Sequence, residues 1–256
     1  MRRATETQGY SLVELLMVLA IAGLIGGAIL GVYRVSQDTY IRASSLEAAQ
    51  LGARAGLDRM ASELRLIGSY WVGANGAGNA ITAVTSSSIT FMANVEGPAV
   101  SNGAEATATA LIANTVTLSL SATATTDAFK VNDYIYITNG GTRDVRQITG
   151  IGDNTLTIAP ALSSAYPVGS LVRDVKTITY TRNGGANTLT RTQGAGGAHP
   201  IVDNVTGLTF TYFLSDGVTP TTDPALIREI QVALTVQSPD GSVRRMTTRV
   251  KPRSLP

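Results

Sequence analysis

Residues 15–33 read LLMVLAIAGLIGGAILGVY and carry no charged side chain. As a helix this run of about 19 residues is roughly 28 Å long, close to the hydrocarbon thickness of a bilayer. A segment this apolar satisfies its backbone groups in lipid only as a helix, so the run fixes both local structure and environment. It is long for the apolar core of an ordinary secretory signal, whose small-residue cleavage site follows the core. Here Ala20, Ala22 and Gly23 lie inside the run instead. Arg2 and Arg3 precede it, which places the N-terminus in the cytoplasm by the positive-inside rule and the bulk of the chain on the far side. A single membrane pass is the minimum expectation.

The helical pattern continues past the bilayer. Leu46, Ala49, Ala53, Leu57, Met60, Leu64 and Ile67 recur at steps of three and four, one continuous stripe at the helical period. Arg54, Asp58, Arg59 and Glu63 lie off the stripe and are spaced for i,i+4 ion pairs. The first proline is Pro98, so one helix is expected from Tyr10 to Ile67, with Gly68 and Ser69 as its stop.

From Ile81 the period changes to two. Strands are expected at Ser88–Met92, Tyr134–Thr138, Asn154–Ala159, Thr177–Thr181, Leu208–Leu214 and Ile227–Gln237, rich in Thr, Val and Ile between Gly and Asn clusters. Ile230, Val232, Leu234 and Val236 face one way, and Pro239-Asp240-Gly241 turns the chain into a hairpin partner, Val243–Val250. The segment at about 111–175 is expected to be a small β-rich insert, and 94–110 and 183–200 to be surface loops. The expected class is therefore α+β: a long N-terminal helix, half membrane and half amphipathic, packed on an antiparallel sheet domain.

Several chemistries find no residues to carry them. There is no cysteine, hence no disulfide or thiolate site, and an exported chain of this kind is held by packing and hydrogen bonds. His199 is the only histidine, which excludes a cluster of histidine ligands, and no G-x-S-x-G elbow accompanies it. No P-loop or dinucleotide-binding glycine pattern occurs. A net charge of +2 gives no basic field for nucleic acid, and none is expected as a partner. Asp216 and Asp223 flank the loop SDGVTPTTDP and are weak calcium candidates, without EF-hand spacing. No other cofactor is expected, and an anchored enzyme is the least favoured class.

The residues before the apolar run are more specific. Gly9-Tyr10-Ser11-Leu12-Val13-Glu14-Leu15-Leu16 follows a short leader containing two arginines. This resembles the prepilin signature of type IV pilins and type II secretion pseudopilins. The resemblance implies that 1–9 is a leader cut after Gly9 by a prepilin peptidase/methyltransferase. Tyr10, where the family usually has Phe, becomes the N-methylated new N-terminus, and Glu14 is the signature carboxylate. It further implies a filament-core helix over 10–33, an amphipathic continuation over 34–68 and a globular domain over 69–256. Partners would be other pilins met through the N-terminal helix. A carboxylate at the edge of an apolar segment is costly unless paired, and in such a filament the partner would be a neighbour's cleaved N-terminal ammonium. Three short stretches resemble the PilW-like branch of minor pilins and, with an insert longer than expected, the J-type pseudopilins: Asp58-Arg59-Met60-Ala61-Ser62-Glu63-Leu64-Arg65, SITFM, and the closing Arg249-Val250-Lys251-Pro252-Arg253-Ser254-Leu255. The expected function is a minor pilin, with a J-type pseudopilin as alternative and a signal-anchored adhesin as the alternative from another class.

Overall fold

A computed structural model describes residues 11–95, 105–120 and 129–255. One helix, α1, runs Leu12–Arg65, 54 residues without interruption. The chain divides into two compact units, Met1–Ala48 and Ala49–Pro256.

In the first unit the α1 side chains described are exposed almost throughout, including Leu12, Leu19, Leu24 and Leu30. The polar residues that follow the apolar run satisfy their hydroxyls on the helix itself. Thr39 Oγ1 donates to the Val35 carbonyl at 2.8 Å and Ser45 Oγ to the Arg42 carbonyl at 2.9 Å.

The second unit begins with the last turns of α1. Ala53, Leu57, Met60 and Leu64 are buried there, on the stripe that the helical period marks out, and Ala61 is buried beside it. The helix ends by tightening: the Leu66 and Ile67 amides bond the Glu63 and Leu64 carbonyls, and Gly68 follows at φ +79°. A side chain at Gly68 would meet Val72 Cγ2 at 2.7 Å, so both backbone and space require glycine.

Among the described residues thirteen strands follow: β1 (Ile81–Val84), β2 (Ser88–Ala93), β3 (Glu105–Thr107), β4 (Thr117–Ser119), β5 (Tyr134–Thr138), β6 (Arg143–Ile151), β7 (Thr155–Ala159), β8 (Leu171–Asn183), β9 (Thr188–Gln193), β10 (His199–Val202), β11 (Val205–Phe213), β12 (Glu229–Gln237) and β13 (Val243–Val250). All paired strands are antiparallel. A ten-stranded sheet has the path β1-β2-β8-β5-β6-β7-β4, with β3, β9 and β10 joined at its side; β11-β12-β13 form a second sheet. The structure is thus α+β, a long apolar N-terminal helix packed by its final turns on antiparallel sheets.

Two segments differ from expectation. Residues 188–193 and 199–202 are strands β9 and β10, and 105–107 is strand β3, where surface loops were expected. The sequence TLTRTQ looks like loop because it is polar, yet Leu189, Thr190 and Arg191 are buried by partners from elsewhere in the chain. β8 runs from Leu171 to Asn183, well beyond the expected Thr177–Thr181, because its charged residues are buried in ion pairs. Its first half pairs with β3 and β5 and its second half with β2 and β9.

Two hydrophobic clusters result. The larger joins Leu57, Met60, Leu64 and Ile67 to Phe91, Ile178, Tyr180, Phe210, Ile230, Val232 and Leu234. The smaller gathers residues between Ala108 and Val172, with Leu118, Ile135, Ile148, Leu156 and Tyr166 at its centre. β8 supplies Val175, Ile178 and Tyr180 to the first and Val172 to the second.

Candidate functional site

Glu14 stands in the first turn of α1, where its amide and that of Leu15 bond the Ser11 carbonyl at 3.0 and 3.2 Å. A carboxylate suits the positive end of a helix. Its side chain is exposed, and it forms no ion pair among the described residues. Leu12, Val13, Leu15, Leu16 and Met17, each 57% exposed or more, surround it in sequence. Gly9 and Tyr10, the expected processing positions, lie outside the described residues. α1 is long and apolar enough to cross a membrane once, and no part of its most apolar window is buried.

The glycines of this stretch are informative. Among the described residues a methyl group placed on Gly23, Gly26, Gly27 or Gly31 would meet nothing within 4 Å.

The second unit holds buried ionic groups that the sequence pattern does not reveal. Glu63, expected off the apolar stripe at i,i+4 spacing from Arg59, is buried. Arg59 does approach it at 3.4 Å, but the stronger contacts come from across the fold. Arg191 Nε donates to Glu63 Oε2 at 2.8 Å and Oε1 at 3.1 Å, and Tyr180 Oη donates to Oε2 at 2.7 Å. Arg54 and Asp58, the other expected pair, form no ion pair among the described residues. Burial, then the Glu63 carboxylate, pushes the Tyr180 hydroxyl well above the ordinary tyrosine range.

A second group centres on Lys176. Its ammonium lies 2.7 Å from Asp133 Oδ2 and 2.6 Å from Asp174 Oδ2, and all three side chains are at most 4% exposed. Burial pushes the Lys176 amine down, but the two carboxylates outweigh it and leave the group above the usual lysine value. Around Asp144, Ser163 donates through both its amide and its hydroxyl, and Arg146 lies 3.3 Å away. Arg146 also donates to the carbonyls of Asn75 and Ala161, tying three segments of backbone together.

Asp216 and Asp223 each serve their own turn. Asp216 accepts hydrogen bonds from the Thr219 hydroxyl and the amides of Val218 and Thr219, which hold its carboxyl below the usual range. Asp223 accepts from the Ala225 amide at 3.0 Å. Among the described residues no group of three or more His, Cys, Asp or Glu gathers in metal-binding fashion. His199 is exposed on strand β10 rather than in a loop. Trp71 is buried, with Nε1 donating to the Gly78 carbonyl at 2.8 Å and its ring edge-on to Tyr134. Tyr70 beside it is partly exposed and lies under the Arg173 guanidinium.

A scan against protein-family models finds no match to this chain, and a search of curated proteins finds none either.

Proposed function

We propose that this chain is a minor type IV pilin: a subunit cleaved after Gly9, methylated on Tyr10, held in the inner membrane by α1, and incorporated into or priming a pilus. The observation that carries the reading is Glu14, an exposed carboxylate in the first turn of an apolar helix, in register with Gly9 in the sequence. Such a group is costly in a hydrocarbon setting unless a cation meets it. A neighbour's cleaved N-terminus supplies that cation and sets the register between helices. The four glycines with open space support the same reading, because small residues let apolar helices approach closely. The globular unit faces away from the cytoplasm, and 111–175 is its β-rich insert; the second hydrophobic cluster, drawn from residues 108–172, supports that subdivision. The length of the insert favours the pilus branch over a J-type pseudopilin.

The test is the intact mass of the membrane-extracted protein with and without the prepilin peptidase. A species beginning at N-methylated Tyr10, lost without the peptidase, is expected; a chain that retains its first nine residues in both would overturn the reading and favour an anchored adhesin. Glu14→Ala is expected to insert and be processed normally yet fail to enter filaments, and wild-type incorporation would remove the register role.

A further inference from the structure

We propose that Lys176 and Asp133 form an intramolecular isopeptide bond, with Asp174 as the proton carrier. β5 and β8 are antiparallel neighbours, paired Tyr134 to Val175, so Asp133 stands one position beyond that pair, opposite Lys176. The Lys176 amine lies within 2.7 Å of Asp133 Oδ2 and 2.6 Å of Asp174 Oδ2. Asp174 shares its strand two residues earlier and therefore its face. The amine is thus held between two carboxyls with water excluded, the arrangement that proximity catalysis needs.

Asp133 is the acceptor and Asp174 the carrier because Asp133 faces the amine from the segment entering the neighbouring strand, whereas Asp174 lies two residues away on the strand that carries Lys176. Among the described residues the Asp133 Oδ1 makes no hydrogen bond, and it lies against Gly194, where an added side-chain carbon would come within 2.2 Å of it. The other oxygen of Asp133 is bound to the amine.

The reaction balances within the cluster. A proton passes from the Lys176 ammonium to a carboxylate, which removes two charges from a low-dielectric interior. The freed Nζ attacks Asp133 Cγ and forms the N–C bond. Asp174 takes a proton from the nitrogen and gives it to a departing oxygen; the Cγ–O bond breaks and one water leaves. Asp174 ends as it began, and no oxidant or cofactor is consumed. The link spans 43 residues and joins β8 to the segment entering β5. In a chain without cysteine it is a covalent staple indifferent to redox conditions.

Tryptic peptides of the full-length protein decide the matter, because neither peptide involves the N-terminus. A linked species joining Val131–Arg143 to Asp174–Arg182, lighter than their sum by one water, about 18 Da, is expected. Release of Asp174–Lys176 as a free tripeptide would overturn the proposal. Dehydration confined within Asp174–Arg182 would overturn the choice of Asp133 as acceptor. Lys176→Arg should restore the full mass. Asp174→Asn should leave the chain folded but unlinked, and Asp174→Glu should bring the link back; a fully linked Asp174→Asn protein would remove Asp174 from the step.

Discussion

Gly27 and Gly56 occupy the same helix, and their surroundings teach opposite lessons. A methyl on Gly27 would meet nothing within 4 Å, whereas on Gly56 it would come within 2.1 Å of Val202 Cγ2. From Ala49 onward the helix is shaped by this chain's own fold. Before that, among the described residues, large apolar side chains are exposed and small ones have room to spare. Such a face is long and apolar enough to cross a membrane, and large exposed apolar surfaces are suited to lipid or to other helices.

The comparison is broken most severely at Glu63. Glu63→Ala leaves Arg191 buried without its carboxylate and is expected to cost about 3–5 kcal/mol. Chemical denaturation measures it, and a loss below about 1 kcal/mol, the value of a surface pair, would mean that the helix end is not fixed by this contact. Next in size is the glycine pair. Gly56→Ala is expected to destabilise the second unit by about 1–3 kcal/mol through overpacking against Val202. Gly27→Ala should leave that unit's unfolding unchanged, while raising intrinsic helix propensity by about 1 kcal/mol. Equal effects at the two positions would erase the distinction. The smallest effect is set by pH. Tyr180 and Tyr212 are buried and hold their protons above the ordinary tyrosine value of 10.0. A raised folded value means that the folded state binds more protons than the unfolded chain once pH passes the unfolded value of 10.0. The stabilisation is therefore whole below about pH 10 and declines above it. A thermal melting series from neutral to strongly alkaline pH should fall only past that point, and Tyr180→Phe should flatten the fall.

The helix was legible because its evidence is periodic and local. Ala53, Leu57, Met60, Leu64 and Ile67 are all buried, and a 3.6-residue repeat requires no knowledge of the rest of the chain. The β12–β13 hairpin was legible for the same reason, with Gly241 at φ +88° closing the turn marked by Pro239-Asp240-Gly241. What escaped is polar and non-local. Glu63 looks like a solvent residue until Arg191, 128 positions away, is placed beside it. Arg173, Asp174 and Lys176 hide the first half of β8 from a strand expected only at Thr177–Thr181, because nothing local announces that Lys176 meets Asp133. Glu14 could be singled out in the sequence, since a carboxylate beside an uncharged run is conspicuous, and the structure adds its place in the first helical turn.

β8 has a mechanical consequence. Its two halves belong to different strand neighbourhoods, and its side chains enter both hydrophobic clusters. A pulling force along this strand is shared by rows of hydrogen bonds on both flanks, which must shear together rather than unzip one at a time. Neither cluster can yield without dragging the strand that anchors the other, so the globular unit should rupture in one step under load.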